Sequence, residues 1–280
     1  MSNKFVAACL VSLLYLAGCT KAQPPETASA PTTTVSETKE IAKIQNPGKV
    51  VHVLVALCDN EHQGIVPVPA FLGNGEDTIK NLYWGAGFGV KTFFLKSANW
   101  TRLAVIPNPK ENVLERIVFK HQTQNVYLIA DAYRGSKMRE MVDDFFAAVA
   151  GAKRENVVVN DLTLQILGSA NLVAFVGHNG LMDFKLENPP DKKDDDQRAA
   201  VILACASRNY FSAPLKKTSA TPLLWTSNLM APEAYILHAA LEGWVRGETD
   251  EQVRNRAAAA YSKYQKISLK SAQNLLVTGW

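Results

Sequence analysis

The chain has 280 residues, 47% of them hydrophobic, and 30 Lys and Arg against 26 Asp and Glu give a formal net charge of +4. That length supports a domain with a substantial core. So mild a charge, with no basic stripe interleaved with aromatics, excludes nucleic acid as an expected partner.

At the N-terminus, Lys4 precedes an almost wholly apolar run from Phe5 to Ala17. A membrane-spanning helix needs roughly 20 residues, so this run suits the core of a signal peptide instead. It ends in Leu16-Ala17-Gly18-Cys19, which resembles the lipobox of bacterial lipoproteins. The resemblance implies cleavage before Cys19, a diacylglycerol on its thiol, and a lipid bilayer as partner. Thr20 in place of Asp after the cysteine implies the outer membrane. Several acyl chains give an anchor far firmer than one. The next segment, to Gly48, is rich in Thr, Pro, Ala, Ser and Glu and has no apolar periodicity, which predicts a disordered leash. The division is therefore 1–18 signal peptide, 19–48 lipidated cysteine and tether, and 49–280 folded domain.

Within the domain, Val50 to Leu57 is a continuous β-branched, apolar run, as expected of a strand covered on both faces. Asn125 to Asp131, Leu172 to Val176 and Ala199 to Cys205 have the same character, and Pro222 to Thr226 is a shorter candidate. The stretch Asn99 to Gln122 fits either a hairpin or a helix. Ser136 can cap a helix that places Met138, Met141, Val142, Phe145, Phe146 and Val149 on one face and ends at Gly151. Pro232 suits the first turn of another, ending before Gly247, and Thr249 with Gln252 forms a capping box for a third, to about Gln265. Strands alternating with helices predict an α/β fold: a mainly parallel sheet with helices on both faces.

Ligands collect at the carboxyl ends of the strands in such a sheet. Cys58, Asp59, Asn60, Glu61 and His62 follow the first run, Gly177-His178-Asn179-Gly180 the run ending at Val176, and Ala204-Cys205-Ala206-Ser207 the run after it. A thiol is a strong nucleophile only as thiolate, and a nearby imidazole can take its proton. Backbone N–H groups beside Cys205 and after His178 could bind a developing oxyanion.

An apolar block ending in His, then an apolar block ending in Ala-Cys, is similar to the signature of the caspase-like cysteine peptidases, including legumains and gingipains. That resemblance spans the order of elements from about Val50 to Gln265 and implies a three-layer sandwich. It also implies His178 as catalytic histidine, Cys205 as nucleophile, and the amides of Asn179 and Cys205 as oxyanion donors. Asn179 stands where the family usually has glycine, and Leu203 where it often has Gln, Asp or Glu. Asp59, Glu61 and His62 would lie near a substrate pocket. The expected partner is an envelope or extracellular polypeptide, with no cofactor and no metal.

Other readings of the same residues stay open. Cys205 could be an inert core cysteine or could pair with Cys58, since the compartment outside the cytoplasm permits disulfides. In the caspase-like strand order the third strand separates the first and fourth, about 9.6 Å apart, too wide for that bridge without bending. His178 could be a structural histidine, and the whole domain a non-catalytic lipoprotein that binds an envelope partner. Gly85, Gly87 and Gly89 lack the Lys-Ser/Thr end of a phosphate loop and fit close packing of a helix or turn. Asp191 to Gln197 reads as an exposed loop between strands.

Overall fold

A computed structural model of the chain describes residues 41–280. The segment expected to be a signal peptide, Cys19 and most of the expected tether lie outside the described residues. The domain begins with β1 (Lys49–Ala56), a short helix α1 (Val90–Leu95) and the hairpin β2 (Trp100–Lys110) and β3 (Val113–His121). There follow β4 (Val126–Tyr133), α2 (Met138–Val149), a second hairpin β5 (Arg154–Val159) and β6 (Leu162–Leu167), and β7 (Leu172–Val176). The chain closes with β8 (Arg198–Leu203), α3 (Ser207–Leu215), β9 (Ala220–Thr226), α4 (Ala234–Val245), α5 (Asp250–Gln265), α6 (Leu269–Leu275) and β10 (Leu276–Val277).

Eight strands form one mixed sheet in the order β10-β9-β8-β7-β1-β4-β3-β2. Its centre, β4-β1-β7-β8-β9, is parallel throughout, while β2, β3 and β10 join it antiparallel at the two edges. All of β4 and β7, and all of β1 after Lys49, are buried, which is why their sequences are unbroken apolar runs. Alternate residues serve opposite faces. Val51, Val53 and Val55 pack with Phe94 of α1, Leu237 and Leu241 of α4 and Ala257 of α5. On the other face, Val50 and Leu54 pack with Phe145 and Phe146 of α2, Phe211 of α3 and Ile166 of β6. Each such side chain contributes about 1.5–3 kcal/mol by leaving water. The fold is α/β with helices on both faces.

Three helix ends follow the sequence signals and two starts do not. Ser136 makes no cap, since α2 begins at Met138 behind Lys137 with no side-chain cap bond, and Pro232 lies outside α4, which begins after Glu233. Gly151 (φ +75°) and Gly247 (φ +72°) turn the chain out of α2 and α4 in the left-handed region that glycine adopts freely. Thr249 and Gln252 make the reciprocal capping box of α5. Asn99 to Gln122 is the hairpin β2–β3, and β2 tolerates Pro107 and Pro109 because it is the edge strand.

Two further expectations need correction. First, the strand predicted over Ala199–Cys205 stops at Leu203, so Cys205 lies in a turn. Second, the tether does not reach Gly48. Asn46 donates to the carbonyls of Gln165 and Ser169 and accepts from the Gln165 N–H at 2.6 Å, and the Ile44 N–H donates to Gln165 Oε1. A polar segment thus docks by matching the amides beside β6, without burying apolar surface. The acidic loop Asp191–Gln197 is the expected exposed loop between two strands, with only Asp194 and Asp196 partly covered. Asp194 accepts from both terminal nitrogens of buried Arg198 at 2.7 Å and from Arg154 at 2.9 Å. Burial raises its carboxyl, but Arg198 and Arg154 outweigh that and hold it below the ordinary range.

Among the described residues, no helix is long and apolar enough to cross a membrane.

Candidate active site

β7 and β8 run parallel, and their last register pair is Val176 with Leu203. His178 and Cys205 each lie two residues beyond that pair. The sheet therefore delivers both residues to one edge, on strands spaced about 4.8 Å apart. Gly177 turns the chain out of β7 at φ +141°, where a side chain is disfavoured, and its N–H donates to the Leu203 carbonyl at 3.1 Å. On the neighbouring strand Ala206 adopts the left-handed conformation (φ +48°), an uncommon one for a residue with a Cβ. It bends β8 sharply into α3 and leaves Cys205 at the corner. The corner is tied down: the Ala206 N–H donates to Asn228, Ser207 Oγ to the Ile202 carbonyl, and the Ser207 N–H to Thr226 Oγ1.

Asn179 joins the two turns. It is fully buried. Its Nδ2 donates to the Cys205 carbonyl at 2.7 Å, and its Oδ1 accepts from the Leu181 N–H at 3.1 Å. Among the described residues no hydrogen bond is donated by the backbone N–H of Asn179 or of Cys205. Two main-chain donors at this edge are thus uncommitted.

The side chains of His178 and Cys205 have other neighbours. His178 is buried, and its Nε2 lies 2.7 Å from Asp183 Oδ2, which also accepts from the Gly64 N–H at 3.0 Å. Cys205 is half-buried and its Sγ sits against the main chain of Met230, 3.4 Å from the N–H and 3.5 Å from the carbonyl. No hydrogen bond links His178 to Cys205 in this conformation. With Nε2 engaged by a carboxylate, Nδ1 is the nitrogen left for proton exchange, the arrangement in which a third group fixes the tautomer of a base.

Cys58 and Cys205 are both free. Cys58 follows β1 and Cys205 follows β8, with β7 between them. Burial pushes the Cys58 thiol up to about 11, a hydrogen bond with Tyr83 lowers it in part, and nearby Asp59 raises it further. Tyr83 spans the gap. A Cβ on Gly177 would lie 3.6 Å from its ring, and burial, then the charges of Cys58, Cys205 and Glu233, push its phenol well above its ordinary value.

Asp59, Glu61 and His62 do come together, around a cavity of about 330 Å³ that Gly75 and Glu76 also line. Their roles differ. Asp59 is buried and spent internally: Oδ1 accepts from the N–H groups of Glu61 and His62, and Oδ2 lies 2.9 Å from His62 Nδ1. Glu61 and His62 present exposed side chains. The 59–64 loop reaches the histidine through Gly64 and Asp183. Among the described residues, no group of three or more His, Cys, Asp or Glu is arranged to hold a metal.

Asp183 and Tyr83 were not foreseen from the sequence. Asp183 left one trace, a carboxylate five residues after the histidine within a turn that Asn179 caps. Tyr83 left none, because it arrives from a loop far from either strand. Compared with known proteins, the chain matches no family model, no curated protein and no solved structure.

Proposed function

We propose that the chain is a membrane-tethered thiol hydrolase, a caspase-like cysteine peptidase with Cys205 as nucleophile and His178 as base. The observation that carries this reading is the register of β7 and β8, which sets the two residues level at adjacent carboxyl ends. Two others support it: the strand bearing the histidine separates the first strand from the one bearing the cysteine, and helices cover both faces. The lipobox at Cys19 supplies the tether, and the domain acts on polypeptides of the envelope or outside it.

In this mechanism the Cys205 proton passes to His178 and the thiolate attacks the carbonyl carbon of the scissile amide. The oxyanion accepts hydrogen bonds from the N–H groups of Asn179 and Cys205, donors already held in place by the Asn179–Cys205 bond. His178 protonates the amine as the C–N bond breaks, leaving a thioester on Cys205. Water, giving its proton to His178, hydrolyses the thioester to acid and free thiol. Asp183 holds the imidazole in one tautomer throughout, and the cavity at Asp59, Glu61 and His62 receives a substrate side chain.

A second reading has its own observation. The thiol rests on Met230 and the imidazole on Asp183, as in a scaffold that binds an envelope partner without catalysis. Hydrolysis of quenched fluorescent casein by the full chain in detergent separates the two. The peptidase reading expects activity that Cys205→Ser and His178→Ala abolish and Cys58→Ser leaves intact. Activity that survives Cys205→Ser overturns it.

A further inference from the structure

A second concavity, of about 720 Å³, opens between α1, α4, α5 and the segment Lys96–Asn99 that follows α1. Its volume is in the range of small-molecule sites, which are mostly apolar with a few convergent polar groups. The apolar wall is aromatic. Tyr235 and Tyr264 stack with centroids 4.2 Å apart at 5°, and Phe88 stands edge-on to both at 5.7 and 5.3 Å. Phe88 and Tyr264 remain 44% and 36% exposed, so the rim keeps aromatic surface in water. Ala239 and Ala260, where α4 and α5 face the cavity, leave the space open.

The polar groups set the charge of the ligand. Ser97 Oγ lies 2.8 Å from His238 Nε2 and accepts from the Asn99 N–H at 3.1 Å. Burial lowers the pKa of His238, an effect that Glu242 opposes and His121 adds to. Lys96 and Lys263 also line the cavity, no carboxylate does, and neither lysine pairs with a carboxylate among the described residues. An aromatic wall alone would suit a cation. Two lysines reverse that preference, because a cation there would meet like charge without a counter-ion in the cavity lining.

We propose that this cavity binds an aromatic carboxylate, its ring against Phe88 and Tyr264 and its acid group held by Lys96 and Lys263. Aromatic rings favour edge-to-face contact with one another, and lysine recognises a carboxylate through charge-assisted hydrogen bonds. The site shares no residue with the His178–Cys205 edge and does not depend on it.

The test is a calorimetric titration of the full chain with 2-naphthoate and, in parallel, with neutral 2-naphthalenemethanol. The expected result is saturable one-to-one binding of the acid, weaker by about tenfold or more for the alcohol. The pair of exposed substitutions Lys96→Glu and Lys263→Glu should weaken the acid to a similar degree, Phe88→Ala should weaken both probes, and Cys205→Ser should change neither. Absence of saturable binding overturns the proposal, as does equal affinity for acid and alcohol, or affinity for the acid that is unchanged in the lysine variant.

Discussion

The side-chain amide of Asn179 donates to the main-chain carbonyl of Cys205 at 2.7 Å, so the turn after β7 and the turn after β8 form one unit. The residue that departs from the usual glycine after the histidine is the one that locks the thiol's backbone. It also caps the short turn carrying Asp183 through the Leu181 N–H. Asn179→Ala leaves that carbonyl and that N–H without their partner, at a cost of about 1–3 kcal/mol for a buried group. We expect a lower urea midpoint and slower casein hydrolysis, with Asn179→Gly no better. Unchanged stability and rate would show that the two turns hold themselves.

Asp183 lies 2.7 Å from His178 Nε2 and makes no hydrogen bond to the thiol. Asp183→Asn keeps a group that can accept from Gly64 but removes the charge that orients the imidazole. The expected outcome is a lower kcat with KM little changed, and an activity–pH profile displaced from wild type. A merely structural role would lower stability and leave the profile where it was.

Cys58 and Cys205 should separate cleanly by reactivity. Burial raises the Cys58 thiol to about 11, and no part of it is exposed, whereas Cys205 is half-buried at a strand end. Near neutral pH, iodoacetamide followed by peptide mass spectrometry should label Cys205 in the folded chain, with Cys58 following only after denaturation. Labelling of Cys58 at the same rate in the folded protein contradicts its burial beside Tyr83.

Asp131 predicts the acid limit of the fold. It is buried, which raises its carboxyl, yet two hydrogen bonds and the charge of Arg116, with His52 beside them, outweigh that and hold it below the ordinary range. A carboxyl depressed in the folded state stabilises at every pH above its unfolded value of about 3.9 and loses that contribution as pH falls through the folded value. Melting temperature should therefore drop steeply below about pH 4. Asp131→Asn should be less stable at pH 7 by about 3–5 kcal/mol, since Arg116 is left buried and short of its partner. Its acid dependence should be shallower. Parallel curves for variant and wild type would place the acid limit elsewhere.

The docked segment 42–48 and the anchor give two further outcomes. Asn46→Ala should lower the melting temperature, about 2–4 °C for each kcal/mol in a domain of this size, while deletion of residues 20–41 should leave it unchanged. Cys19→Ala should move the protein out of the membrane fraction, and a variant that stays acylated and membrane-bound refutes the lipobox.

Much of the sheet was legible because parallel strands buried on both faces must be apolar at every position. Val50 to Leu57 and Leu172 to Val176 admit few other readings. The hairpin β5–β6 was not legible, although Asn160 adopts φ +52° at its turn, because Arg154, Glu155 and Asn156 break the apolar pattern. Nor was α3, which carries Pro214 and a polar first turn and is set by the left-handed Ala206 before it. At the site, His178 and Cys205 stood out because strand ends are visible in sequence. Asp183, Tyr83 and the Met230 main chain did not, because turns deliver them and no periodicity marks where a turn will aim a side chain.

The claim that His178 serves Cys205 is tested most directly by the pH profile of Cys205 alkylation in the reduced wild type and in His178→Ala. An imidazole that takes the thiol proton makes the thiolate available below the ordinary thiol value of about 8.5. The half-maximal rate in wild type should then fall at a lower pH than in His178→Ala, with both proteins folded. Superimposable profiles, or a Cys205 that does not react until the chain unfolds, would contradict the pairing and leave the scaffold reading in its place.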